Sequence, residues 1–343
     1  MSSTTIEETL MDTTGAPAPT GAFGTDFGPV MSVAHARDGA WSAVDVVPLE
    51  SFTLHPGTHA LHYGSSCFEG LKAHRQPDGT VRAFRADAHA ERFRQSAARL
   101  RLPVPPPALA AELIERAVAA NAALTPESPG SLYVRPTLLG TDVTVGAAAH
   151  PSSSAVAYVL VCPVGDYLPP RPLTIAVETT IPRTTPQFGV VKSGANYAMA
   201  LPVIEAARAE HGADQVLFAP DGTLQETGAS NVMLLDGKRL LTPALTDAFL
   251  HGVTRDSLLQ VARSLGWEVE ERDVGVGECL EWIARPTAEL ILTGTAVVIA
   301  TVGTLVVDGT AHAVGSPGVN SSATTLRDHL IAIQTGRASF TFA

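Results

Sequence analysis

Among the Asp-Gly pairs that punctuate this chain are Asp38-Gly39, Asp78-Gly79, Asp221-Gly222 and Asp236-Gly237, and three of these lie between short apolar, β-branched runs. Such pairs accept the left-handed backbone of a tight hairpin, so they commit both halves of the chain to antiparallel strands. Helical windows separate these hairpins. Asp87 opens one that runs to about Leu100, where Phe93, Ala97 and Leu100 share a face before Pro103. Others run from about Ala108 to Ala123, Tyr197 to Glu210 and Val253 to Leu265, the last with Gly266 just past its end. Hairpins mixed with helices in both halves predict an α+β fold rather than a regular series of parallel crossover units.

The length of 343 residues suggests about two domains. The Pro-dense stretch 162–172 reads as the connection between them, with a small domain at 23–161 and a larger one at 173–343. Residues 1–22 read as a disordered lead-in, because Ser, Thr, Pro and Ala dominate and Glu7, Glu8 and Asp12 are the wrong charge for a secretory leader. One run, Leu290 to Val307, is eighteen residues without a charge, long enough for a membrane helix. Its four threonines, two glycines and five valines instead predict two buried strands, with turns near Gly294 and Gly303.

Charge narrows the partners. With 23 basic against 34 acidic residues the chain carries −11, which argues against nucleic acid or an anionic membrane as a general partner. Cys67, Cys162 and Cys279 are far apart, and the eleven histidines form no ligand spacing. Reduced thiols in a cytoplasmic protein, with no metal site, are the expectation.

Only three of the basic residues are lysines: Lys72, Lys192 and Lys238. An amine can lose its proton where a guanidinium cannot. Lys192 stands in Val191-Lys-Ser-Gly-Ala-Asn-Tyr197, a stretch of small and polar residues. Taken alone it is a lysine on a glycine turn. Gly252-Val-Thr254 at a helix start and Thr293-Gly-Thr-Ala296 after a strand are candidate anion sites, with Arg92 as a possible guanidinium. Glu226, beside a glycine turn, could face a pyridine nitrogen and keep it protonated. Without GxxxxGK[ST] or a strand followed by GxGxxG, nucleotides are disfavoured. Amine, carboxylate and phosphate turns are together the parts needed to hold pyridoxal 5'-phosphate.

The chain resembles the branched-chain amino acid aminotransferases, of the fold-type IV pyridoxal-phosphate class. The resemblance runs from about Phe23 to Arg337, with nine motifs in family order. They begin at His62, Phe84, Leu132, Cys162, Val191, Gln225, Gly252, Leu292 and Ile333. It implies a two-domain fold like that of D-amino acid aminotransferase, with a small α/β domain and a larger one built on a pseudo-barrel sheet. It implies that Lys192 is the Schiff-base lysine, that Tyr197 binds the ring oxygen and that Glu226 partners the ring nitrogen. Arg92, Val253, Thr254 and Thr295 would form the phosphate cup. Phe23, Tyr63, Phe68, Tyr133, Arg135 and Tyr167 would form the substrate pocket, with Ala229 and Ala296 offering backbone to the α-carboxylate. Arg135 would pair a glutamate side chain or else form an ion pair inside its own domain. A homodimer is implied, in which the Tyr63 region reaches the neighbouring subunit's site.

The implied reaction is transamination between an aliphatic L-amino acid and a 2-oxo acid such as 2-oxoglutarate. A D-amino-acid aminotransferase, an aminodeoxychorismate-lyase-like enzyme and a non-catalytic cofactor-binding protein are the alternatives. Four places depart from the usual family wording: Ala195, Ala229-Ser230, His251, and Gly28-Pro-Val-Met31. Ala195 adds a methyl to a turn expected to be tight. Ala229-Ser230 gives a smaller and more polar lining, which suggests a specialised substrate.

Overall fold

Strands closed by the first two Asp-Gly pairs build one of two eight-stranded sheets. The computed structural model describes residues 22–51, 53–166, 169, 171–315 and 321–343. Tyr167 and the lead-in, apart from its last residue, lie outside them. The first sheet contains β1 (Val30–Arg37), β2 (Ala40–Trp41), β3 (Asp45–Pro48), β4 (Ser66–Phe68), β5 (Leu71–Arg75), β6 (Val81–Ala83), β7 (Ser131–Gly140) and β8 (Ala155–Val164). Its order is β2-β1-β8-β7-β5-β6, with β3 also on β1 and β4 on β7. Every pairing in it is antiparallel.

The longest ladder pairs Ser131 with Val164 and Gly140 with Ala155. It carries β8 three residues past the expected end at Val161, because Cys162 and Val164 are buried and still have partners on β7. A short helix, α1 (His59–Tyr63), precedes β4. Two longer ones, α2 (Ala86–Arg99) and α3 (Pro107–Ala120), lay Phe93, Ala97, Leu113 and Ile114 on one face of the sheet. Full burial of side chains of this size stabilises the fold by roughly 1.5–3 kcal/mol each for the larger ones.

The second sheet is mixed. It holds β9 (Leu173–Glu178), β10 (Gln215–Phe218), β11 (Asn231–Asp236), β12 (Arg239–Thr242), β13 (Glu268–Glu271), β14 (Ala288–Gly294), β15 (Val298–Val307) and β16 (Thr310–Ala313). Its order is β10-β9-β15-β14-β11-β12-β13, with β16 on β15. The pairs β9–β10, β9–β15 and β12–β13 are parallel. Four helices accompany it: α4 (Gly194–His211), α5 (Val253–Ser264), α6 (Val276–Ile283) and α7 (Ser322–Gln334).

Along β11 the side chains alternate between two cores. Val232 and Leu234 pack with Trp282 and Ile283 of α6, while Met233 and Leu235 pack with α5 and α7. A strand covered on both faces needs an unbroken apolar run rather than alternation. The same burial explains Leu290 to Val307, which forms most of β14 and all of β15. Among the described residues no helix is long and apolar enough to cross a membrane.

Gly303 is not a turn, contrary to expectation. It lies inside β15, where the register with β9 shifts between Val302 and Thr304. A Cβ there would meet the ring of Pro172 at 2.9 Å, so the glycine admits the incoming connection.

Candidate active site

A cavity of about 270 Å³ opens between the two sheets' lobes. From the first lobe it is lined by Phe23, Phe68, Gly70, Arg92, Tyr133 and Arg135. From the second come Lys192, Tyr197, Glu226, Ala229, Ser230, Val253, Thr254, Thr295 and Ala296 among others. Of the site residues expected from the sequence, all but two therefore line one cavity; Tyr63 does not line it, and Tyr167 lies outside the described residues.

Lys192 is held at both ends of its peptide by the first lobe. Its N–H donates to Ser96 Oγ at 3.1 Å, and its carbonyl accepts the Phe68 N–H at 2.9 Å. Asn196 closes the loop, donating from Nδ2 to the carbonyls of Phe188 and Val191 and accepting from Thr184. Ser193 caps α4 by accepting the Ala195 N–H. With the backbone fixed, Lys192 Nζ donates to Tyr197 Oη at 2.7 Å and lies 5.1 Å from the centre of the Phe68 ring. Ala195 is exposed, so its methyl meets no tight backbone and the expected crowding is corrected.

Glu226 is 2% exposed. Burial pushes its carboxyl above the usual range, opposed by Arg183, the Leu250 N–H, Lys192 and Arg92. The Leu250 N–H donates to Oε1 at 3.1 Å, and Arg183 Nη1 approaches the same oxygen at 2.7 Å. Both contacts fall on Oε1.

The start of α5 also faces the cavity through Val253 and Thr254. Its N-cap is Gly252, which offers no side chain to cap the first N–H groups. Those donors and the positive end of the helix dipole suit an anion. Arg92 is buried as well, but not free. Nε and Nη2 grip Glu69 at 2.8–3.1 Å, and Nη1 donates to the His251 carbonyl at 2.7 Å. His89 Nδ1 holds Glu69 at 2.8 Å. Burial alone would raise the Glu69 pKa; Arg92 and His89 outweigh it and hold it at about 2.

On the other wall, Tyr133 reaches in because Gly70 has no side chain. A Cβ at Gly70 would sit 2.1 Å from Tyr133 Oη. Arg135 Nη2 donates to that hydroxyl at 2.8 Å, and its guanidinium lies over the Phe68 ring at 4.6 Å. Among the described residues Arg135 has no acidic partner, so the expected alternative of an ion pair inside its own domain is not what forms.

An amine beside a phenol, a buried carboxylate and an uncapped helix start in one cavity form a donor set that fits pyridoxal phosphate. The family model for class IV amino-transferases matches residues 66–303. The chain is 36% identical over 305 residues to a probable branched-chain-amino-acid aminotransferase of Streptomyces coelicolor, covering 86% of this chain and 83% of the relative. The chain belongs to the branched-chain aminotransferase family. It is also 34% identical over 308 residues to the chloroplastic branched-chain-amino-acid aminotransferase 5 of Arabidopsis thaliana, covering 88% of this chain and 72% of that one. The crystal structure of the T.th. branched-chain amino acid aminotransferase with pyridoxamine 5'-phosphate superposes with a TM-score of 0.73 at 26% identity, covering 90% of this chain and 95% of that one. The two-domain α+β fold is the family's fold-type IV arrangement.

Four buried groups of this family member have no assigned role in the sequence: Glu69, His89, Lys72 and Arg183. Glu69 and His89 stand inside recognised motifs but were not singled out. Lys72 is one of the three lysines, but no motif role in the sequence marks it. It is 7% exposed, its Nζ donates to the Ala296 carbonyl at 2.8 Å across the cavity's edge, and burial pulls its pKa down to about 8. The scarcity of lysine, which singled out Lys192, applies equally to Lys72. Arg183 carried no signal, since it meets Glu226 only through the fold.

Proposed function

We propose that the protein is a pyridoxal-phosphate-dependent transaminase of branched-chain or related aliphatic L-amino acids, with a 2-oxo acid such as 2-oxoglutarate as acceptor. The observation that carries this reading is the Lys192 Nζ–Tyr197 Oη contact in a cavity that also holds Glu226 and the open start of α5. Lys192 would hold the cofactor's aldehyde carbon, Tyr197 its ring oxygen and Glu226 its ring nitrogen. Val253, Thr254, Thr295 and Arg92 would take the phosphate. When bound, the cofactor supplies an electron sink that weakens the bond between the substrate Cα and its hydrogen. Nζ of Lys192 would take up the proton released at Cα and pass it to the cofactor's aldehyde carbon rather than back to Cα. An ionised Glu226 would favour a protonated ring nitrogen.

The Phe23, Phe68 and Tyr133 rings give the substrate side chain an apolar wall. Arg135, without an acidic partner among the described residues, suits the second carboxylate of glutamate. Tyr133, Ala229 and Ala296 would meet the α-carboxylate. Ala229 and Ser230 keep the lining small and partly polar, which supports an aliphatic substrate outside the leucine, isoleucine and valine set. A screen of L- and D-amino acids against 2-oxoglutarate, read by product chirality, tests this. Turnover of an aliphatic L-amino acid above all D-forms is the expected result. Preference for a D-amino acid would replace the reading with the D-specific one. Equal, ordinary turnover of leucine, isoleucine and valine with no better substrate would remove the specialised part.

The working unit is a cytoplasmic homodimer. Leu61, Val143 and Val145 are exposed apolar residues around Tyr63, whose hydroxyl donates to the Val145 carbonyl. That surface supports the placing of Tyr63 at a neighbouring subunit's site.

A further inference from the structure

Glu226 is a buried carboxyl with no cationic residue beside it in the sequence. The cations that act on it are Arg183, Lys192 and Arg92, and the Leu250 N–H is its neutral donor. Of the three cations, only Arg183 touches it. Arg183 is 3% exposed and lies between β9 and α4, outside the cavity wall. Its Nη1 meets Glu226 Oε1 at 2.7 Å, as a charge contact rather than an aligned hydrogen bond. Its Nε and Nη2 donate to the Gly228 carbonyl at 3.3 and 3.1 Å. The guanidinium carbon stands 5.4 Å from the centre of the Tyr197 ring. One buried side chain thus touches Glu226, the turn leading to Ala229 and Ser230, and the phenol that receives Lys192.

We propose that Arg183, itself anchored on the Gly228 carbonyl, is the positioning residue that keeps Glu226 ionised and aims it into the cavity. The proposal rests on the reading that the cavity takes pyridoxal phosphate.

A carboxylate removed from water without a partner takes up a proton. Burial already drives Glu226 that way, and Arg183 is the first of the influences that resist it. A protonated Glu226 could share a hydrogen bond with a ring nitrogen but could not stabilise positive charge there. Only a planar fork reaches Oε1 and the Gly228 carbonyl together; a lysine could meet one of them. Because Arg183 acts through Glu226, its effect must vanish when Glu226 no longer carries charge.

The test is a double-mutant cycle on the holoenzyme with Arg183→Met, Glu226→Gln and the two combined, together with Arg183→Lys. Four quantities are read: the pyridoxal-phosphate dissociation constant, the pH midpoint of its visible absorption band, kcat and KM. Arg183→Met is expected to lower kcat by about 10- to 100-fold, by analogy with the residues that orient metal ligands from behind. It should shift the pH midpoint of the band, leave KM for the amino acid within about twofold, and be partly rescued by lysine. In the Glu226→Gln background the same change should cost about twofold or less. An equal loss in both backgrounds, or an unshifted midpoint, overturns the proposal. If Arg183→Met does not fold, the double variant, which buries no unpaired charge, is compared with Glu226→Gln alone. A further loss of about tenfold or more there overturns the proposal too. Wild-type protein that acquires no visible band with pyridoxal phosphate would instead defeat the cofactor reading itself.

Discussion

Glu69 shows how a single side chain supports the site without entering it. Its carboxylate is pinned by Arg92 and His89, and its pKa falls from 4.5 to about 2. A folded-state pKa below the unfolded value means that the unfolded chain binds the proton first. The stabilisation is therefore complete above about pH 4.5 and is lost as pH falls toward 2, amounting to about 3 kcal/mol. Glu69→Gln should lose about that much against denaturant at pH 7, and the gap from wild type should shrink by pH 3. A gap of the same size at both pH values would contradict this. Residues of this kind are hard to read in a sequence. Lys192, Tyr197 and Glu226 stand in motifs whose chemistry names them. Glu69 and Arg183 act through partners 20 or more positions away, and no local pattern announces such pairs.

At the scale of elements, the local signals carried far. Asp38-Gly39 and Asp236-Gly237 close hairpins, and α2 begins and ends within a residue of its Asp87 and Leu100 signals. The α4 start at Gly194 precedes the expected Tyr197 because Ser193, not a charged residue, is the cap. Gly303 misled for a different reason. A glycine in an apolar run marks either a turn or a close approach, and only the path of Pro172 distinguishes them. Burial of β11 on both faces likewise depends on α5, α6 and α7 arriving from elsewhere in the chain. The missed helix α6 is short, and Trp282, whose indole N–H reaches the Leu235 carbonyl at 3.1 Å, anchors it through a tertiary contact.

The whole molecule is organised by the seam between its lobes, where the cavity lies. Lys192 is fixed by Phe68 and Ser96, Arg92 reaches the His251 carbonyl, and Lys72 reaches the Ala296 carbonyl. These ties make the first lobe part of the candidate site rather than an appendage to it. Leu61, Val143 and Val145 are exposed apolar residues, and in the proposed homodimer they would meet the second copy. Sedimentation equilibrium should return the mass of two chains, and Val145→Asp should shift it toward one. A single-chain mass for the wild type would contradict the homodimer.

The central claim is that Lys192 serves as the reacting amine. It is tested most directly by one half-reaction followed in the spectrophotometer. Purified protein loaded with pyridoxal phosphate is mixed with an excess of an aliphatic L-amino acid, with no 2-oxo acid present, and the visible band and released 2-oxo acid are recorded. The account predicts that the wild type converts once per site, with loss of the band, and that a folded Lys192→Ala protein neither shows that band nor releases product. Release of 2-oxo acid by Lys192→Ala at the wild-type rate would contradict it.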